Sequence, residues 1–418
     1  MTKNNKAFII ALILKDDRFE FKDEIDELKQ LSNTLGYDVV DCFVQKKNQI
    51  DINTYIGKGK IKSIINKCSV LNVSTLIFNN ELRPSHFKNI SKITDNKIEI
   101  IDRTKLILDI FKNHAQTNES KKQVELAMNE YLLPRLKGMW THLERQMGGV
   151  GTRGGPGEKQ IEIDRRLINR SITKLKRDLE KIEQSRKTMR KNRNTIYKIS
   201  LVGYTNAGKS TIMQELSGFN SYIKNQLFAT LDTTTKQVIL GKKYKVLLSD
   251  TVGFLNNLPH SLIASFKSTL EEIKSADLII KIIDASTANI SKHLSTINQT
   301  LDIIGSENQK ELLVFNKIDL LQNKNMFNNI KKTYKNPIMI SAEKKLKINN
   351  LIDSIVTIIE SDLNTYNVKI SYGNYDLLHY LHKNMHVIKE KHTKTNVDVM
   401  FKCTEYQYRS FIKKNKNP

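Results

Sequence analysis

Short runs in the second half of the chain hold the residue types that phosphate, a divalent cation and a purine base each require. GYTNAGKST, residues 203–211, fits the pattern G-x-x-x-x-G-K-[ST]. Gly203 and Gly208 permit a tight loop in which backbone N–H groups of Tyr204, Thr205, Asn206 and Ala207 face phosphate. Lys209 brings positive charge to the β- and γ-phosphates. Ser210 offers a hydroxyl to Mg2+, and Thr211 follows it into a helix. DTVGF, residues 250–254, follows an apolar strand. Asp250 is suited to hold Mg2+ through water, and the Gly253 amide, at the end of Asp250-Thr251-Val252-Gly253, to sense a γ-phosphate. Phe254 stands where Ras-like enzymes carry a water-orienting Gln.

NKID, residues 316–319, selects the base. The Asp319 carboxylate can accept from guanine N1–H and the N2 amino group. Adenine offers neither donor and would leave a buried acceptor unpaired, a penalty on the order of 10⁴–10⁵ in related discriminations. Asn316 contacts the base and braces the site, Lys317 covers a ring face, and Ile318 separates Lys317 from Asp319. After the next short strand, Ser341-Ala342 places a backbone N–H within reach of guanine O6. Between the first two motifs lies FATLDTTTK, residues 228–236. Phe228, Ala229, Thr230 and Leu231 are candidate nucleotide contacts. A Thr hydroxyl from this loop should reach Mg2+ when the γ-phosphate is present. Three consecutive threonines leave open which one.

These residues need strands that end at the motifs and helices that begin there. Ile196–Val202, Lys245–Ser249, Leu312–Phe315 and Pro337–Ile340 read as those strands. The first hundred residues alternate in the same way. Ala7–Leu14, Tyr37–Val44, Thr75–Phe78 and Lys97–Ile101 read as strands. Glu20–Leu35, a short stretch after Gly57-Lys58-Gly59-Lys60 and the residues after Pro84 read as helices.

Residues 103–195 differ. Arg103–Ala115 and Lys121–Leu136 carry helical patterns. Residues 148–160, GGVGTRGGPGEKQ, hold six of the chain's 17 glycines, a density that predicts loop and lets backbone approach a partner closely. Ile161, Ile168, Leu175, Ile182 and Met189 then recur every seven residues, with Ile172 and Leu179 between them, as in the seam of an antiparallel helical hairpin. Lys159–Arg193 carries thirteen Lys/Arg against five Asp/Glu. A merely solvated face would mix the signs more evenly, so this segment reads as a nucleic-acid surface. Arg153, Lys159, Arg165, Arg166, Lys174, Lys176 and Arg177 are its candidate contacts.

The formal net charge of +24 favours polyanionic partners, nucleic acid before anionic membrane. Cys42, Cys68 and Cys403 form no metal-type spacing and no disulfide framework, which fits a reducing cytoplasm. No apolar stretch approaches the ~18 residues of a spanning helix. The chain is expected in the cytoplasm, with at most weak peripheral membrane association.

The chain resembles the HflX-type GTPases, a bacterial ribosome-associated family. GYTNAGKST, FATLD followed by threonines, and DTVGF are similar to the family's nucleotide motifs. More specific are RTKLILDIFKNHAQT (103–117), LPRLKGMWTHLERQMGGVGTRGGPGEKQIEIDRR (133–166) and IGKGK (56–60). Thr233 stands where the family usually has Pro. The resemblance implies an α/β fold: a P-loop GTPase domain with a mixed, mostly parallel sheet (196–365), preceded by a small parallel α/β domain (1–115) and an antiparallel helical hairpin (116–195), and followed by a small α/β C-terminal domain (366–418). It implies GTP hydrolysis with Mg2+, with GTP and GDP as ligands. Thr234 becomes the Mg2+-sensing hydroxyl, and Lys209, Gly253 and Thr234 the candidate catalytic residues. It also implies binding to the large ribosomal subunit and its rRNA, and splitting or rescue of ribosomes under stress. The alternative is an ATP-dependent RNA-remodelling activity of the N-terminal half, with ATP bound there and the GTPase domain as regulator.

Overall fold

The computed structural model describes residues 5–14, 21–136, 156–192, 196–218, 228, 234–241, 244–255, 267–287, 289–306, 309–321 and 324–416. Its contacts divide the chain into two units.

The first unit is built on β1 (Lys6–Ile13), whose continuous apolar run is buried from Ala7 onward. A strand covered on both faces reads this way. Helix α1 (Phe21–Thr34) leads to β2 (Asp38–Lys46), and α2 (Lys58–Leu71) to β3 (Thr75–Phe78). Helix α3 (Pro84–Ile93), with Pro in its first turn, leads to β4 (Glu99–Asp102). All neighbours are parallel, in the order β2-β1-β3-β4. The GKGK run is not a loop before a short helix. Lys58–Lys60 is the first turn of α2, which continues for 14 residues.

Asp102 ends β4 and caps α4 (Arg103–His114), accepting from the Lys105 N–H at 2.8 Å. Fully buried, it also accepts from the Tyr131 hydroxyl at 3.0 Å and the Leu82 N–H at 2.9 Å. Burial raises its carboxyl to about 6. Tyr131 lies on α5 (Asn118–Leu132), so this network ties the helix to the sheet. Pro134 lies in a 3-10 turn, Leu133–Arg135, that closes α5. Helix α6 (Pro156–Asn192) runs antiparallel to α5. Lys122 pairs with Asp178 at 2.7 Å, and Glu130 with Lys176 at 2.8 Å. The heptad seam faces inward: Leu175 is buried, and Ile161, Ile168, Ile172, Leu179 and Ile182 are half-buried. The glycine-rich run was expected to exclude helix through residue 160, yet α6 starts at Pro156. Proline suits a first helical position, where its fixed φ fits and its missing N–H costs no bond.

The second unit holds a six-stranded sheet, order β10-β9-β8-β5-β7-β6. Its strands are β5 (Tyr197–Gly203), β6 (Thr234–Leu240), β7 (Tyr244–Asp250), β8 (Leu278–Asp284), β9 (Lys310–Asn316) and β10 (Ile338–Met339). Only β6 is antiparallel to its neighbour among these pairs. Helices α7 (Lys209–Ser217), α8 (Lys267–Lys274), α9 (Ile290–Ile304), α10 (Lys324–Thr333) and α11 (Ile348–Asp362) connect or flank the strands. Ile199, Leu201, Leu248, Ile280 and Ile282 of the central strands share one core cluster with Ile212 of α7 and Leu351, Ile355 and Ile359 of α11.

The chain then adds β11 (Asn364–Ser371), α12 (Tyr375–Asn384), β12 (His386–His392), β13 (Asn396–Cys403) and α13 (Glu405–Lys416). They form an antiparallel sheet, order β11-β13-β12. Its core is made by Ile370, Leu381, Val397, Val399, Phe401 and Phe411.

Candidate nucleotide site

The phosphate loop leaves β5 at its C-terminal end and enters α7 at Lys209, so the strand and the helix N-terminus fix its two ends. Both glycines are required by contacts. A Cβ at Gly203 would lie 2.4 Å from the Ile282 carbonyl oxygen of the neighbouring strand. Gly208 has φ +90°, and a Cβ there would fall 2.2 Å from Asn316 Nδ2. Asn206, also at positive φ, stands exposed at the turn.

Lys209 is buried, and its ammonium donates to the carbonyls of Tyr204 at 2.9 Å and Gly203 at 3.2 Å. Burial pushes its pKa down to about 8, against the opposing pull of Asp250. Ser210 Oγ donates to Asp250 Oδ2 at 2.6 Å. Two hard oxygen donors thus meet at one point, beside the start of a helix. This set suits a Mg2+-like cation better than a soft metal.

Asp250 ends β7, and the chain beyond it docks on the phosphate loop. Phe254 and Tyr204 form a parallel bridge. Gly253 comes so close that an added Cβ would sit 2.8 Å from Thr205 Cα and 3.0 Å from Lys209 Nζ. Thr251 is fully buried, its hydroxyl donating to the Leu201 carbonyl at 2.8 Å, and Val252 is buried beside it. These two hold the segment in place through their side chains.

At the base end, Asn316 closes β9. Its Nδ2 donates to the Ala207 carbonyl at 2.9 Å, and its Oδ1 accepts from the Ala342 N–H at 2.9 Å. One buried amide therefore joins the phosphate loop, the NKID turn and the Ser341-Ala342 turn. Lys317 takes a left-handed φ of +63° and pairs with Asp284 Oδ2 at 2.8 Å. The Ile318 N–H donates to the Ile340 carbonyl, which sets the turn that presents Asp319. Asp319 Oδ1 is buried with no hydrogen-bond partner, an acceptor fit for a ligand donor. Ser341 Oγ accepts from the Lys344 N–H at 3.1 Å and shapes the last turn.

The other expected residues are placed less simply. Thr211 is half-buried in α7. Phe228 groups with the first unit, where its ring meets Phe111 edge-on at 4.6 Å between centroids. Its side chain is buried there. Ala229, Thr230 and Leu231 lie outside the described residues, as do Arg153 and the side chain of Lys159. Thr234 is exposed and opens β6, as the ladder partner of Asp250. Arg165, Arg166, Lys174, Lys176 and Arg177 are exposed along α6. Of these, Arg166 pairs with Glu162 and Lys176 with Glu130.

Two parts of the site were not foreseen. Asp284 holds Lys317 and accepts from Ser286 through both its N–H and its hydroxyl. The available signal was a carboxylate ending the apolar strand LIIKIID, just as Asp250 ends β7. His293 of α9 stacks flat on Tyr204, with centroids 4.0 Å apart. No local pattern announces that pairing.

Comparison with known proteins agrees with this geometry. Residues 22–112 match the model of the GTP-binding GTPase N-terminal region, 114–193 that of the GTP-binding GTPase middle region, and 198–317 that of the 50S ribosome-binding GTPases. The GTPase HflX of Flavobacterium psychrophilum is 46% identical over 75% of this chain and 75% of its own. That of Caldanaerobacter subterraneus subsp. tengcongensis is 36% identical over 97% of this chain and 94% of its own. The chain belongs to the HflX family of GTPases. The Escherichia coli GTPase HflX is 38% identical over 72% of this chain and 70% of its own. As an HflX-family GTPase, the chain binds guanine nucleotide and hydrolyses GTP.

Proposed function

We propose that this HflX-family GTPase binds the large ribosomal subunit through its rRNA and uses GTP binding and hydrolysis to time ribosome splitting or rescue under stress. The observation that carries the ribosomal part is the outward face of α6. Arg165, Lys174 and Arg177 are exposed on it, no ion pair within the described residues engages them, and they belong to a segment of thirteen cations and five acids. A rigid helix with unneutralised cations matches an rRNA backbone, whose counterions it would release. The family model of ribosome-binding GTPases over residues 198–317 supports the same reading.

In the nucleotide site, the phosphate loop and Lys209 would hold the phosphates, and Asp319 and the Ala342 N–H the guanine. Ser210 would ligate Mg2+ directly and Asp250 through water. A threonine of residues 228–236 would complete the set when the γ-phosphate is bound. The ion screens phosphate charge, and the chain's own part is to position oxygen donors around it. The cytoplasm is the proposed location. No helix among the described residues is long and apolar enough to cross a membrane. An ATP-dependent activity of the N-terminal half draws no support, and Gly57–Lys60 opens a helix there.

Co-sedimentation of the full chain with purified large subunits tests this function. The form bound to a non-hydrolysable GTP analogue should pellet with subunits more than the GDP form. Reversing Arg165, Lys174 and Arg177 to Glu should weaken pelleting and flatten its salt dependence, while GTP affinity holds. Lys176 and Arg166 are left intact because each already serves an acidic neighbour. No pelleting in either nucleotide state would overturn the proposal.

A further inference from the structure

The C-terminal sheet buries one face and leaves the other without a core. On β13 the buried residues alternate, Val397, Val399, Phe401 and Cys403, and they pack with residues of α12 and α13. The ladder registers place the remaining residues on the opposite face. Lys402 pairs with Thr365 and His386, Met400 with Asn367 and Lys389, and Asp398 with Lys369 and Lys391. Asn367, Lys369, Ser371, Lys389 and Lys391 are exposed.

This face carries four lysines against one carboxylate; Lys402, at one end, lines a cavity with Tyr197, Tyr244 and His386, and the other three are exposed. Asp398 lies on the middle strand with Lys369 and Lys391 on either side, yet it forms no ion pair within 4 Å with either among the described residues. Residues 364–418 as a whole hold ten Lys/Arg and four Asp/Glu. Lysines two apart on one strand, such as Lys389 and Lys391, repeat about every 6.7 Å, and neighbouring strands lie about 4.8 Å apart. The cations are therefore a fixed grid rather than a loose tail. Just past β11, Tyr375 is 73% exposed, while Tyr372 is engaged, its ring stacked on His392 and its hydroxyl donating to the Thr393 carbonyl at 2.9 Å.

The geometry points to this sheet face as an RNA-docking surface, separate from α6, in which Lys369, Lys389 and Lys391 follow the backbone of a single RNA strand. Charge selects the occupant, since a row of ammonium groups on a polar sheet gives an apolar protein partner nothing to bury. Flatness selects a strand over a duplex, because a planar grid of cations can track the phosphates of one extended strand. The surface stands whether or not α6 is an rRNA contact.

The test uses the full chain with GDP and Mg2+ and reads the anisotropy of a labelled oligouridine. Reversing Lys369, Lys389 and Lys391 to Glu should weaken binding about tenfold. The slope of log affinity against log salt should fall by about 2, at roughly 0.7 per lost phosphate contact on a single strand. The milder K369Q/K389Q/K391Q set should move the same way by a smaller amount. A control reversing Lys331, Lys332 and Lys335, exposed lysines in and just after α10, carries the same charge change and should leave binding within about twofold. GTP affinity reports that each variant is folded. Equal losses in the sheet and control sets would overturn the proposal, as would no change in the glutamine set. Loss of binding to a polyglutamate peptide with RNA binding intact would assign the face to an acidic protein, and would overturn it too.

Discussion

Thr205 and Phe254 are joined backbone to backbone: the Thr205 N–H donates to the Phe254 carbonyl at 2.9 Å. The Phe254 N–H donates in turn to the Gly203 carbonyl at 3.0 Å, and the Phe254 ring is 2% exposed. A buried hydrocarbon ring thus follows Gly253, where a Gln in Ras-like enzymes would orient the attacking water. The phosphate loop and the segment that should sense the γ-phosphate already hold each other. GTP hydrolysis by the free chain should therefore be slow, and large subunits should raise it at least about tenfold, a barrier change of ~1.4 kcal/mol. Single-turnover hydrolysis with and without subunits checks this. A rate that bound subunits leave unmoved would refute it.

Lys209 predicts a pH dependence of nucleotide affinity. Its pKa is near 8 in the folded chain without nucleotide. Phosphates hold the charged form and raise that pKa on binding. Affinity for GDP should be level below pH 8 and fall above it, reaching about tenfold weaker at pH 9 than at pH 7. Stability of the nucleotide-free chain runs the other way. A lysine depressed from its ordinary 10.5 binds fewer protons folded than unfolded between 8 and 10.5, so its contribution to stability rises with pH there. Fluorescent-GDP titration and chemical denaturation across pH 7–9 read the two trends. Affinity that stays level to pH 9 would discard the Lys209 assignment.

Asp319 predicts base preference. Its buried oxygen has no hydrogen-bond partner and would accept from guanine. Replacing it with Asn removes a charge and puts a donor toward a donor. Two charge-assisted bonds at about 1.5–3 kcal/mol each make the loss of GTP affinity about 100-fold or more. Xanthine nucleotide, which offers an acceptor at that position, should gain affinity. Competition binding measures both, and a D319N variant that kept its GTP preference would exclude this carboxylate from base reading.

The Mg2+-sensing threonine can be separated by two substitutions. Thr234 is committed to the β6–β7 ladder, opposite Asp250. Thr230, in the FATLD run four residues upstream, is the other hydroxyl to compare with it. T230A should lower affinity for a non-hydrolysable GTP analogue in Mg2+ about tenfold while sparing GDP, the loss of one ligand hydroxyl at ~1–1.5 kcal/mol. T234A should change both nucleotides alike. The reverse pattern would assign the ligand to Thr234.

What was readable in the chain depended on how local each determinant is. Lys209, Asp250 and Asn316 are reached by strand-to-loop patterns a few residues long, and the structure brings them together. The seam of α6 repeats over many turns and survives as its buried face. The start of α6 was misjudged because glycine density was weighed above the placement of Pro156. His386 opens β12 directly after α12, and its ring lies 5.3 Å from that of Tyr244, a contact no local pattern announces. The hold of Asp284 on Lys317 and the stack of His293 on Tyr204 join residues distant in sequence. Only the packed sheet brings those pairs within reach.

The Asn316 bracket has a consequence for how nucleotide leaves. Its amide spans from Ala207 to Ala342, and Gly208 lies so close beneath it that no side chain could intervene. The floor of the phosphate cradle and the floor of the base pocket are therefore one solid piece. A partner that pulled on either would distort both, so release would come as a single event rather than phosphate first and base second. An exchange factor for such an enzyme needs only one handle. Where that handle lies, at the turn around Ala342 or at the loop around Ala207, would make no difference to which nucleotide atoms let go.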